Sequence, residues 1–278
     1  MHAPGMTEND VQQSHGMHVA RAGSRQAPPL LLIHGSGASG AFWNPVVPAL
    51  AEHHHVIWVD LPGCGKSPEP SSYAVPDQAG RVADLLDGLG AGPVGVVGHS
   101  SGGYVATALA EGRPDLVASM ALISSGPSLD ALLPEPLLLK VLLAPPLGPL
   151  LWSIRSDSMI RRGISATCER AVEIPDEMVA GLQGITYRGV RAVLRENGAY
   201  LEERSLPDRL AALKLRLLVL FGAADPRWDP ASARRYEAVP NARVEMLPGV
   251  GHVPMLEAPE KTGDLLLAFT AASRRGAP

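Results

Sequence analysis

Cysteine is scarce in this chain. Among 278 residues only Cys64 and Cys168 carry a thiol, and they stand in unrelated surroundings. That pattern excludes a disulfide framework and a cysteine-spaced metal site. Neither sign of charge dominates: 24 basic side chains face 28 acidic ones, a net charge of −4. Nothing electrostatic therefore favours nucleic acid or an anionic membrane as partner. Long hydrophobic runs are missing too. The most apolar stretch, "EPLLLKVLLAPPLGPLLW" at 135–152, is interrupted by Lys140 and several prolines. It falls short of the roughly 20 apolar residues a membrane-spanning helix needs, so it reads as a lid element with an oily face and no membrane span is expected. Internal repeats and low-complexity tracts are absent. Residues 1–17 lack a charged segment followed by an apolar core, the mark of a signal peptide. The expectation is a flexible leader on a cytoplasmic enzyme or binding protein.

What the chain does have is a regular alternation. Short apolar runs bounded by Gly, Pro or Asp read as buried strands at 29–34, 55–60, 93–98, 119–124, 215–222 and 242–247. Helical spacing lies between them, as in "VPDQAGRVADLLDGLG", where Val75, Val82, Leu85, Leu86 and Leu89 share a face. "GGYVATALAEG" is rich in small residues, as suits a helix crossing a sheet closely. Strands alternating with helices predict a parallel sheet covered on both faces. The stretch 127–207 breaks the pattern with helical or irregular sequence and no convincing strand, too long for a plain loop. It reads as an inserted helical cap, leaving 18–126 and 208–278 as the core. The insertion would sit over the carboxyl ends of the strands, where open α/β sheets bind ligands.

The chemistry starts at Gly98-His99-Ser100-Ser101-Gly102, a G-x-S-x-G pattern between a predicted strand and a predicted helix. A serine on so tight a turn takes a strained backbone conformation, and side chains two positions away would crowd it. Ser100 is then the candidate nucleophile, exposed on the turn, and Ser101 would contribute its amide. A glycine-rich turn without chemistry is the alternative. A serine hydroxyl needs a base. His252, in "GVGHVPMLEAPE" after the last strand, is displayed from a loop and fits that need. The orienting acid should lie between the two in sequence. Asp225, just past a strand's carboxyl end in "LLVLFGAADPRWDP", is the first candidate and Asp229 its rival; either could instead cap the following helix. The glycine-rich loop after the strand at 29–34 would supply the remaining part. Backbone amides of Ser36 and Ser101 would bind an oxyanion, with Gly35 and Gly37 permitting close approach.

"GSGASG" at 35–40 also has the spacing of a dinucleotide fingerprint, with Asp60 near where such a fold wants an acid. The serine–aspartate–histidine order downstream, which a dinucleotide fold does not require, outweighs that match. Three consecutive histidines at 53–55 cannot all face one way on a strand, so they read as a polar start to it and no metal site is expected. Cys64, in the loop "LPGCGKS", offers a thiol near the site with little else to support reactivity. Trp43 reads as packing, whereas Trp152 in the cap and Trp228 beside the candidate acid would border a pocket.

These features together resemble the α/β-hydrolase fold, through "HGSGASGAFW", "DLPGCGKS", "GHSSGG", "FGAADPRWDP" and "GHVPMLEAPE", over about residues 18–273. The resemblance implies a mostly parallel eight-stranded sheet flanked by helices, a Ser–His–Asp triad, a helical cap, and neither metal nor organic cofactor. Serine as nucleophile argues against the dehalogenase and epoxide hydrolase branches, which use aspartate there. The expected activity is hydrolysis of a carboxylic ester or lactone of a largely apolar small molecule through an acyl-enzyme. Carbon–carbon bond hydrolases of this fold usually carry tryptophan after the histidine, where this chain has Val253. That reading, a lyase or cyclase of the same fold, and a non-catalytic ligand-binding protein are the alternatives.

Overall fold

A computed structural model describes residues 12–135 and 137–275. Its strands are β1 Gln12–Ser14, β2 Met17–Ala22, β3 Pro29–Ile33, β4 His55–Asp60, β5 Val94–His99, β6 Val117–Ile123, β7 Leu217–Gly222 and β8 Ala242–Leu247. They form one eight-stranded sheet in the order β1-β2-β4-β3-β5-β6-β7-β8. The pairs β1–β2 and β2–β4 are antiparallel, and all others are parallel. The expected α/β-hydrolase architecture is therefore present.

The expected leader over 1–17 is too long by β1 and the first residue of β2, which pair in the sheet. These strands turn at His15 and Gly16, whose φ values of 52° and 75° suit a two-residue hairpin turn. Residues 1–11 lie outside the described residues.

Alternation along the strands divides the core into two layers, because successive side chains point to opposite faces. Leu31, Ile33, Ile57 and Val59 pack on one face with Val82, Leu85 and Leu86 of the helix Val75–Leu89. Leu30, Leu32, Val56 and Trp58 pack on the other with Trp43, Leu50 and Phe269. The helices before the insertion are α1 Val47–Ala51, α2 Val75–Leu89 and α3 Gly102–Gly112. α2 starts with proline in its first turn and ends at Gly90, whose φ of 59° is the left-handed cap that glycine favours. In α3 every residue from Gly102 to Ala110 is buried. A Cβ on Gly103 would stand 2.2 Å from Ser125 Oγ, so the small residues do let this helix cross closely.

Between β6 and β7 the described chain is helical: α4 Leu137–Leu143, α5 Gly148–Ser153, α6 Asp157–Ser165, α7 Asp176–Gln183, α8 Tyr187–Glu203 and α9 Leu206–Leu213. The Leu206 amide donates to Pro127 O at 2.9 Å, which ties the two ends of the insertion together. Ile160 and Ile164 of α6 and Met178 and Val179 of α7 are buried against core residues that include Phe42 and Val253. The outer helices differ: Leu137, Leu147 and Leu150 are 77%, 59% and 60% exposed, so these leucines face away from the core. Helices α10 Pro254–Glu257 and α11 Pro259–Arg275 close the fold. No helix among the described residues is long and apolar enough to cross a membrane.

Candidate active site

The carboxyl end of β5 runs straight into a sharp turn. Ser100 sits there with φ +51°, a left-handed conformation that costs a non-glycine residue on the order of 1 kcal/mol or more. Three contacts hold it. The Ser100 amide donates to Ile123 O (2.8 Å), and Ser100 O accepts from Ser125 Oγ (2.8 Å) and the Gly103 amide (3.0 Å). The flanking glycines are required by space. A Cβ on Gly98 would lie 2.6 Å from Gly103 Cα, and one on Gly102 would lie 2.3 Å from Ile33 O. Backbone cannot yield to that, so the G-x-S-x-G spacing is a packing rule of this turn.

Two other loops meet the serine. His252 follows β8, and Nε2 of its ring is 3.1 Å from Ser100 Oγ. Its Nδ1 is 2.8 Å from Asp225 Oδ2, in the loop after β7. An ionised carboxylate only accepts, so Nδ1 carries the proton and Nε2 offers its lone pair to the serine hydroxyl. Asp225 is oriented in turn, because its other oxygen, Oδ1, accepts from the amides of Arg227 (2.8 Å) and Trp228 (3.2 Å). The rival acid has a different task. Asp229 is exposed, and its Oδ1 accepts from the Ala231 amide to cap the 3-10 helix Pro230–Ala238.

Ser100 was expected to be exposed on its turn. It is 7% exposed, with Asp225 at 3% and His252 at 5%, because the inserted helices cover the strand ends.

The histidine loop is held from both sides by its main chain. The His252 amide donates to Thr167 O of the insertion (2.8 Å), and His252 O accepts from His99 Nε2 (2.9 Å). The buried carboxylate of Glu257 adds a second clamp. It accepts from the amides of Gly251 (2.9 Å) and Val253 (3.2 Å) on either side of His252, and from Glu169 (2.8 Å) and Arg170 (3.1 Å) in the insertion. Glu257→Ala would strand the buried Gly251 and Val253 amides. A loss of about 2–4 kcal/mol in urea denaturation is expected, with a smaller loss for Glu257→Gln, which keeps one acceptor oxygen.

Two buried histidines beside the serine are neutral. Burial drives His99 down to about 3, while His34 is lowered by burial against the opposing pull of Asp60. His34 Nδ1 donates to Gly35 O (2.8 Å), and its Nε2 accepts from the Leu61 amide (2.9 Å), so a second proton would break a bond. The unfolded chain takes up these protons below about pH 6.5 and the folded chain does not. Stability is thus full above that pH and falls as the pH drops, by about 1.4 kcal/mol per unit for His99, with His34 contributing in the same direction. Denaturation midpoints measured from about pH 7 to about pH 5 check this, and His99→Asn should flatten the slope.

The remaining expected site residues divide. Gly35 is at the site, since a Cβ there would stand 2.8 Å from Ser100 Cβ. Val253 is buried beside His252. Trp228 serves through its amide, while its ring packs over Gly126 in the core. Trp152 does not border the site: its Nε1 donates to Ile185 O (2.8 Å) and Arg155 stacks on it at 3.8 Å, so the ring builds the insertion itself. Cys64 packs with Ile185 and Val190, and burial pushes its thiol up to about 12, which removes it as a nucleophile. In the histidine run, His54 bridges Pro28 O (3.2 Å) and Thr270 Oγ1 (2.8 Å), while His55 begins β4. Ser101 and Ser36 are adjacent, but the Ser36 amide does not stand free for an oxyanion. It donates to Ser101 Oγ at 2.8 Å, because the short hydroxyl reaches back over the loop. Sequence reasoning passed over His99, Thr167, Asn197 and Glu257. Only the last left a trace, as an acid near the histidine flanked by apolar residues.

Residues 30–265 match the Alpha/beta hydrolase family. The pimeloyl-(acyl-carrier protein) methyl ester esterase of Aeromonas hydrophila is 30% identical over 258 residues, 88% of this chain and 96% of that protein. Lipase 1 of Psychrobacter immobilis is 30% identical over 264 residues, 91% of this chain and 80% of that one. Among solved structures, a membrane phospholipase A described as a bacterial virulence factor superposes with TM-score 0.75 at 29% identity. That match covers 97% of this chain and 87% of the other.

Proposed function

The chain belongs to the alpha/beta hydrolase family, and from that premise we propose that it is a serine esterase whose nucleophile, base and acid are Ser100, His252 and Asp225. Its substrate class is a carboxylic ester or lactone of a largely apolar small molecule. The observation that carries the reading is the unbroken line from Asp225 Oδ2 through His252 to Ser100 Oγ, with contacts of 2.8 and 3.1 Å. Ser100 Oγ attacks the ester carbonyl as His252 Nε2 takes its proton, and the imidazolium returns that proton to the leaving alkoxide. Asp225 stabilises the charged ring. Water, deprotonated by the same nitrogen, then releases the acid and frees Ser100.

An ester is favoured over the other bonds this fold cleaves because two relatives spanning most of the chain are named as a methyl ester esterase and a lipase. The buried isoleucines and Met178 that the insertion lays against the core support an apolar acyl part. Residues 127–207 act as the cap over a core that begins with β1 at residue 12, runs to residue 126 and resumes at residue 208.

Intact-protein mass after exposure to a small fluorophosphonate tests the assignment. One covalent adduct is expected on the wild type and on Ser101→Ala, and none on Ser100→Ala. An unlabelled wild type after prolonged exposure would overturn the proposal.

A further inference from the structure

Away from the triad, the insertion carries an apolar surface that meets only solvent. On helices α4 and α5, Leu137, Leu147, Leu150 and Ile154 are each more than half exposed, and Val141 is exposed as well. Helical spacing groups them, since Leu137 and Val141 share one face of α4, and Leu147, Leu150 and Ile154 share one face of α5. The exposed Pro145 and Pro146 continue the surface through the turn between the two helices. A soluble chain rarely leaves so continuous an apolar patch without a partner.

The charges beside this surface point to the partner. Within residues 136–156 the only charged side chains are Lys140 and Arg155, both basic. Arg155 is held by the carbonyl oxygens of Trp152, Leu182 and Ile185. Lys140 shares a groove of about 380 Å³ with Arg191 of α8, walled by Leu143, Pro145 and Leu194. Arg191 donates to the Tyr187 hydroxyl at 3.4 Å. Glu135 lines the groove too, yet among the described residues neither Lys140 nor Arg191 forms an ion pair with a carboxylate. Two cations without counter-charge thus stand in a groove next to the exposed aliphatic side chains. The chain as a whole is slightly acidic, so the attraction for an anion is local to this face.

We propose that the outer faces of α4 and α5 dock on an anionic phospholipid bilayer. Leu137, Leu147, Leu150 and Ile154 enter the boundary of the acyl chains, and Lys140 and Arg191 meet the phosphates above it. The helices lie along the surface and do not cross it. Acyl chains suit this face because leucine, isoleucine, valine and proline side chains offer neither donor nor acceptor, whereas a protein interface carries about one hydrogen bond per 100–200 Å². A second copy of the chain suits it less. A two-fold contact would set this face against itself, bringing Lys140 and Arg191 toward their own equivalents.

Vesicle flotation of the intact protein tests this, with phosphatidylcholine alone and with phosphatidylcholine and phosphatidylglycerol in equal parts. The wild type is expected to float with the mixed vesicles and to bind pure phosphatidylcholine about twentyfold more weakly, since each basic side chain near an anionic surface contributes about fivefold. Leu147→Ser/Leu150→Ser should lose at least about tenfold on both vesicle types. Lys140→Gln/Arg191→Gln should lose the preference for phosphatidylglycerol and keep the wild-type affinity for phosphatidylcholine. These side chains are exposed, so each variant should retain the wild-type Tm. A wild type that binds neither vesicle, or both equally, would overturn the inference, and so would a leucine variant that binds as the wild type does. A dimer in light scattering that Leu147→Ser/Leu150→Ser dissociates would overturn it as well, because a second copy would then cover the face. The readout is binding, so it is independent of the esterase assignment.

Discussion

Ser100→Ala, His252→Ala and the double variant are expected to share one residual rate, about 10⁶-fold below wild type in kcat for a p-nitrophenyl ester. The reason lies in the 3.1 Å contact between His252 Nε2 and Ser100 Oγ. A hydroxyl attacks only as its proton leaves, and the base has no task without that proton. Each group therefore acts through the other, and removing either already removes the whole relay. His252→Ala should leave the loop in place, because the contacts to Thr167 O and His99 Nε2 belong to the main chain of residue 252. Retained thermal stability would show this directly. Losses that multiplied in the double variant would mean that the two residues act independently, and the proposed mechanism would fail.

How much of this was legible in the sequence depends on the kind of contact. Strands buried on both faces write themselves as continuous apolar runs, so β3, β5 and β7 stood out. β2, "MHVARA", is antiparallel and only partly buried: Met17 and Val19 are enclosed while His18 and Arg21 are partly exposed. Its short alternation is diluted by charge, and it escaped notice together with β1. The elbow was readable because its glycines answer local crowding between residues a few positions apart. The clamp on His252 was not, since Glu257 meets Glu169 and Arg170 only after the insertion folds back onto the core. The same holds for Asn197 and Ser36, 161 positions apart. Side-chain identity signals that such a group can bond, and folding alone decides with whom. The cap leucines illustrate the converse. "PLLLKVLL" read as the oily face of a lid, yet Leu137 stands largely in solvent. An apolar run reveals a preference for burial without naming the surface that meets it.

Asp225→Asn is expected to lower kcat about 10⁴-fold while leaving the fold intact. Asp225 Oδ1 accepts two amides, from Arg227 and Trp228, and Oδ2 faces His252 Nδ1. In asparagine the remaining oxygen must keep serving the two buried amides, so the new NH2 group is turned toward the imidazole. A donor there forces Nδ1 to accept, and the ring proton moves to Nε2. That nitrogen then presents a proton to Ser100 where a lone pair is needed, and the base is lost although every atom is nearly in place. Asp225→Ala is a poorer probe, because it also strands the Arg227 and Trp228 amides and loosens the loop. Asp229→Asn supplies the matched control: it keeps an oxygen for the Ala231 amide, lies outside the relay, and should leave kcat unchanged. Proton NMR gives the decisive readout. A downfield His252 Nδ1–H signal is expected in the wild type and in Asp229→Asn and not in Asp225→Asn. A full rate in Asp225→Asn would show that the carboxylate is not the orienting acid, whatever its distance from the ring.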